Sequence, residues 1–190
     1  MNKRITFLIL SCLILPTLSQ AHPLHSAHSF SQGFAHPFLG LDHLLVMLAI
    51  GLWAVQLGQS ALWQLPCTFL TCMMVGGFLG SKQIPLPFLE QGILASVILF
   101  GLLLMLAKPL PISISLLIVG ISGWMHGYAH GLEIPPGHSG LGYGLGFLLA
   151  TTSLHGIGLM SPLLFRRSIL FTRWAGVGIL ASGCLIMFGS

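Results

Sequence analysis

The sequence predicts an all-α integral membrane bundle, six transmembrane helices behind a cleavable signal peptide. Three observations predict it. Charged residues make up only 5% of the 190 positions and hydrophobic ones 55%, against roughly 25% charged in an ordinary soluble domain. A water-soluble fold could not cover its surface with so few charges. Apolar stretches long enough to cross a bilayer, which takes about 20 helical residues, recur along the chain. The first residues also have the composition of a secretory leader.

The leader comes first. Lys3 and Arg4 precede an apolar run from Ile5 to Leu15, then Pro16 and a small-residue site at Ser19, Gln20 and Ala21. Cleavage after residue 21 leaves His22 as the first mature residue. A seventh, uncleaved span is the alternative, but the run is shorter than a bilayer requires. Residues 22–35 then read as a short periplasmic segment carrying His22, His25 and His28. They could capture metal outside, or the segment could be a plain tether.

Residues 36–190 form the transmembrane domain, with spans at about 36–58, 61–80, 88–107, 110–129, 139–160 and 169–188. Each break has a local cause: Gly58-Gln59-Ser60, Pro85 with Pro87, Lys108-Pro109, Pro135-Pro136, and the polar Arg166-Arg167-Ser168. The connections are short, so no separate soluble module is expected. Basic residues favour cytoplasmic loops. With the mature N-terminus outside, the inner connections hold Lys108, Arg166, Arg167 and Arg173, and the outer ones only Lys82. Leader and charge bias therefore agree on periplasmic termini in a bacterial inner membrane.

Glycines at 123, 127 and 131, and the pairs 140/144 and 142/146, recur every four residues. That spacing lets helix backbones approach closely in lipid. Cys67, Cys72 and Cys184 lie in apolar segments without a CxxC pair, and default to small core hydrophobes. The basic residues are too scattered to form a nucleic-acid face.

The polar residues that lipid should have excluded carry the functional signal. Only Asp42, Glu90 and Glu133 are acidic, and two of them sit beside histidines. Ionisable groups within spans are costly unless paired, which makes them functional candidates. In the first group Pro37 suits a first helical position. At 100° per residue His36, His43 and Met47 then share a stripe with Asp42 beside it, His43 lying about 10 Å below His36. A bland alternative bonds Asp42 to a helix N-terminus and merely packs His43. In the second group His126 and His130 are four apart on one face, and Glu133 returns to it if the helix continues. Two imidazoles and a carboxylate suit a divalent first-row metal. His155 lies toward the cytoplasmic end of the fifth span, near Thr151, Thr152 and Ser153. It is either an inner relay or a histidine bonded to a neighbouring helix carbonyl.

The runs HPFLGLDHLLVMLAIGLW (36–53), HGYAHGLEIP (126–135) and LLATTSLHGIG (148–158) resemble the HupE/UreJ family, and the likeness covers essentially the whole chain. The pattern HPxxGxDHxxxMxxxG is its most specific part. Met125 is a mild departure, standing where an aromatic is common. The resemblance implies a membrane protein associated with hydrogenase or urease maturation, acting as a secondary permease for nickel or cobalt. His36, Asp42 and His43 are the metal residues it carries over most directly, followed by His126, His130 and Glu133.

Uptake of a divalent metal is accordingly the expected function, with the ion as cargo and no resident cofactor. No Walker A loop is present for ATP hydrolysis. A zinc protease of the HExxH kind needs Glu after the first histidine, where this chain has Gly127, so no enzyme is expected. The alternative is a non-transporting metal-binding accessory protein. Partners are the metal ion, the bilayer, and either a second copy of the chain or metalloenzyme maturation proteins.

Overall fold

The computed structural model describes residues 25–134, 139–164 and 168–189. The leader, His22, His138, Arg166 and Arg167 lie outside the described residues. Within them the elements are α1 (His25–Leu39), α2 (Leu41–Leu57), α3 (Ala61–Gly80), α4 (Leu89–Leu106), α5 (Ile112–Leu132), α6 (Gly140–Met160), a 3-10 turn (Ser161–Leu164) and α7 (Ser168–Gly189). No strand occurs among the described residues.

Five helices, α3 to α7, are long and apolar enough to cross a membrane, and α1 with α2 make a sixth candidate if the bent pair counts as one span. Their outward faces carry large apolar side chains in the open, including Phe78, Leu117, Ile121, Leu145 and Leu185. So much exposed apolar surface would aggregate a soluble monomer. The chain is a multi-pass membrane protein.

The bundle is built around α2, which touches α1, α3, α4, α6 and α7. Its stretch from Val46 to Ala54 is almost wholly buried, as a helix apolar on every side must be. Gly58, at φ 71°, closes α2 in a left-handed conformation natural to glycine. Around this axis α3 pairs with α5, α4 with α7, and α1 with α6. The α3–α5 seam uses the glycine series as expected: a Cβ at Gly123, Gly127 or Gly131 would run into the backbone at Phe69, Met73 or Gly77. The pair 140/144 does not serve this purpose, because Gly144 has nothing within 4 Å of its would-be Cβ and Gly140 meets only an Ile134 side chain. Gly146 does, closing against the Phe30 carbonyl of α1.

Two expectations are corrected at the N-terminal end. Residues 25–35 are not a tether but most of helix α1, held to α6 by close backbone contact at Gly33. A bond of 3.0 Å from the Ser139 N–H to Ser29 Oγ also ties it to the start of α6. The first span is not one straight helix over 36–58 either, since α1 and α2 meet at 82°. Pro37 sits in the last turn of α1, where it withholds a backbone donor. Gly40 then leaves the helix at φ −94° and ψ 114°. Leu44 N–H bonds to the Gly40 carbonyl at 3.0 Å and starts α2 afresh. His36 therefore cannot share a helical stripe with His43 and Met47, and the vertical spacing along one axis does not apply.

Candidate metal-binding site

The bend folds His36 back over the end of α5. Its Nε2 donates to Glu133 Oε2 at 3.0 Å, and His130 Nδ1 donates to the same oxygen at 3.1 Å. Glu133 caps the C-terminus of α5 one residue beyond Leu132. Because α5 continues three residues past the expected end of that span, His130 is helical and nearly buried, while Glu133 is about half exposed at 47%. Burial acts to raise the Glu133 pKa, but the hydrogen bonds from His130 and His36 outweigh it and hold the carboxyl below the ordinary carboxylate range. One ligand atom each from His36, His130 and Glu133 lie within 4.8 Å of one another. A single divalent ion replacing the shared protons would fit that set of two imidazoles and a carboxylate.

A second group of rings lies just beneath. The His43 ring is 4.3 Å from His130 and 5.0 Å from His126, centroid to centroid. Each ring is tied through Nδ1: His43 to Asp42 Oδ1 at 2.7 Å, His126 to the Ser122 carbonyl at 2.8 Å, and His130 to Glu133. Carboxylates and carbonyls only accept, so Nδ1 carries the proton and the lone pair falls on Nε2. All three Nε2 atoms are buried with no hydrogen-bond partner among the described residues. Orphaned buried acceptors are costly, and an oriented imidazole with a free Nε2 is the form in which histidine ligates metals. Asp42 bonds the His43 side chain and accepts from its backbone N–H at 2.9 Å, so it orients that ring as the carboxylate of a carboxylate–histidine–metal triad would.

A cavity of about 350 Å³ opens between the bend and α4, lined by His36, Asp42, His43, Glu133 and, from the first turn of α4, Glu90. Glu90 is the residue that sequence reasoning missed. It has no histidine neighbours in sequence, and its only signal was belonging to a set of three acids. All three therefore face one chamber. α6 supplies aromatic walls, with Phe147 4.1 Å from the His130 ring and Tyr143 5.8 Å from His36.

The remaining candidates sit elsewhere. Met47 is fully buried in the core. His28 accepts from the Gln32 amide at 3.1 Å along α1, eight residues before His36. His25 begins α1. Thr152 and Ser153 are exposed and bond back to the Leu148 and Leu149 carbonyls of their own helix. His155 is buried, but it does not bond a helix carbonyl: both ring nitrogens lack partners among the described residues. Met125 packs on Gly92 of α4.

The family model described as "HupE / UreJ protein" matches residues 10–186. The chain belongs to the HupE/UreJ family. It is similar to Protein HupE of Rhizobium leguminosarum bv. viciae, 38% identical over 182 residues that cover 95% of each chain. No solved structure matches. Membership in HupE/UreJ spans both histidine motifs and all of α1 to α6, so the chamber lies wholly within the matched region.

Proposed function

We propose that this HupE/UreJ protein is a secondary permease that takes up a late first-row divalent metal, Ni²⁺ first and Co²⁺ second, for metalloenzyme maturation. The observation that carries the reading is the set of buried imidazoles, His43, His126 and His130, each with an oriented and unpartnered Nε2, directly below a surface set of His36, His130 and Glu133. His130 belongs to both, bonded through Nδ1–H to Glu133 of the upper group and presenting its free Nε2 to the lower. An ion shedding water in the acidic chamber would exchange one ligand at a time through His130 instead of crossing apolar space bare. Asp42 orients His43, and Glu90 adds negative charge that attracts a cation into the mouth.

With α1 and α2 read as one broken span, the bias of basic residues toward cytoplasmic loops supports a mouth on the periplasmic side, with Lys108 and Arg173 toward the cytoplasm of a bacterial inner membrane. Catalysis has no support in the donor set: Gly127 stands where a zinc protease needs its base. Nickel as the preferred ion rests on family membership, because the donors alone would also accept copper or zinc. Service to hydrogenase or urease assembly rests on the same ground.

Uptake of radioactive nickel and cobalt, in separate assays, into cells expressing the wild type or His43→Ala tests this. The variant should accumulate neither metal above background at equal membrane expression. Equal accumulation in both strains would overturn the reading in favour of a non-transporting accessory protein.

A further inference from the structure

Among the described residues, His155 is the one buried imidazole outside the two groups above. It is 1% exposed on α6, and neither ring nitrogen has a hydrogen-bond partner among the described residues. A merely structural histidine would donate Nδ1 or Nε2 to a carbonyl, as His126 does to Ser122; leaving both orphaned costs free energy unless something else fills the role.

Its surroundings connect it to the chamber. The His155 ring stands edge-on to Phe69 at 5.3 Å, and the same Phe69 ring is 5.7 Å from His126. One phenyl ring is thus in contact with both imidazoles. One turn outward on each helix, Thr151 Oγ1 meets Met73 Sδ at 3.9 Å, both residues buried. Close packing of Gly51 against the His155 carbonyl fixes the depth: Gly51 is eight residues below His43 on α2, about 12 Å at 1.5 Å per residue. His155 thus stands well inside the bundle, on the far side of Phe69 from the rim.

We propose that His155 is a second, inner metal-binding station for the same late divalent ion, reached from His126 past Phe69, with the Met73 thioether and Thr151 hydroxyl as neighbouring donors. Imidazole with thioether is a borderline-soft set, suited to late first-row ions and poor for Mg²⁺ or Ca²⁺. The proposal rests on the permease reading and extends it from capture to passage. It also gives the orphaned ring a physical reason: its nitrogens remain unpartnered because an ion uses them in transit.

The test uses the full chain in lipid nanodiscs, with nickel bound per chain counted by equilibrium dialysis at saturating metal. His155→Leu, similar in size but without donors, should bind about one ion fewer than wild type. It should hold the remaining ions with affinity within about threefold, since the outer ligands are intact. His155→Met, which keeps a soft donor, should retain the inner ion and guards against a packing defect in the leucine variant. In proteoliposomes with an entrapped metal-sensing dye, His155→Leu should slow nickel influx by about tenfold. Equal stoichiometry in wild type and His155→Leu overturns the inner station. So does loss of every bound ion in a monodisperse His155→Leu protein, because His155 would then belong to the outer site. Failure of the permease reading looks different: wild type and His43→Ala would bind alike and neither would admit nickel, while the count for His155→Leu still decides the inner station.

Discussion

The two histidine motifs have similar composition and behave differently. The one on α5 lies along a single unbroken helix, clamped to α3 at Gly123, Gly127 and Gly131 by backbone contact, and its histidines are buried. The one at residues 36–43 is cut by the 82° bend, and its members are more exposed: His36 at 33% and Asp42 at 29%. The first is one continuous wall; the second is angular, and its side chains reach that wall only because the chain turns at Gly40. The joint lets one short motif contribute to two levels, His36 to the rim and His43 to the rings below.

Removing the residue that both levels share should do the most damage. His130→Ala is expected to lower nickel affinity by about 100-fold or more, the upper end of what losing even an orienting partner costs at a metal site. Isothermal titration of the purified protein measures this, and a smaller loss than for His36→Ala would break the claim that His130 bridges the levels. Asp42→Asn comes next, with an expected affinity loss of about 10- to 100-fold, because the amide no longer holds the His43 ring as a carboxylate does. If Asp42→Asn binds like wild type, His43 is oriented by packing alone.

Acid should weaken the exposed motif before the buried one, because burial opposes a charged imidazole. Imidazoles ligate metals only when neutral, so nickel uptake is expected to fall as external pH drops from about 7.5 to about 5.5. Glu133 does not contribute to that fall. Its pKa is depressed by the two histidine bonds, so its ionised form persists above the ordinary carboxylate pKa of about 4.3 and is lost only at lower pH. Flat uptake across the window would argue against a histidine ligand at the exposed rim.

The smallest expected effect separates joint from wall. A Cβ at Gly40 would stand 3.0 Å from Asp42 Oδ1 and His43 Nδ1, tight enough to push that pair apart. Gly40→Ala should reduce uptake by a few fold, about 1 kcal/mol of displaced geometry, with the fold retained. Gly144→Ala, in open space on α6, should change nothing, and an equal effect from both would remove the special status of the bend.

The apolar runs were legible because a bilayer demands length and hydropathy, and both are local properties. For α3 the expected span and the observed helix coincide at 61–80. The second motif was also legible, since the rule that residues three and four apart share a face holds on a continuous helix such as α5. The first was misjudged because the same rule was carried across Gly40, where the helix axis changes direction. Gly140 and Gly144 were misjudged for a related reason: spacing shows that a helix could be approached closely, not that a neighbour stands there.

By itself, the sequence determined that the chain lives in a membrane, and its scarcity of ionisable groups singled out five of the imidazoles and carboxylates that the fold brings together, His36, Asp42, His43, His130 and Glu133. Tertiary structure alone decided which nitrogen of each ring is free, that Glu90 joins the chamber from α4, and that Phe69 stands between His126 and His155. The physical reason is range. Hydropathy and helical period act over a few residues, whereas a site assembled from α1, α2, α4, α5 and α6 depends on how the helices pack, and that is set by contacts such as the α3–α5 glycine seam and the turn at Gly40.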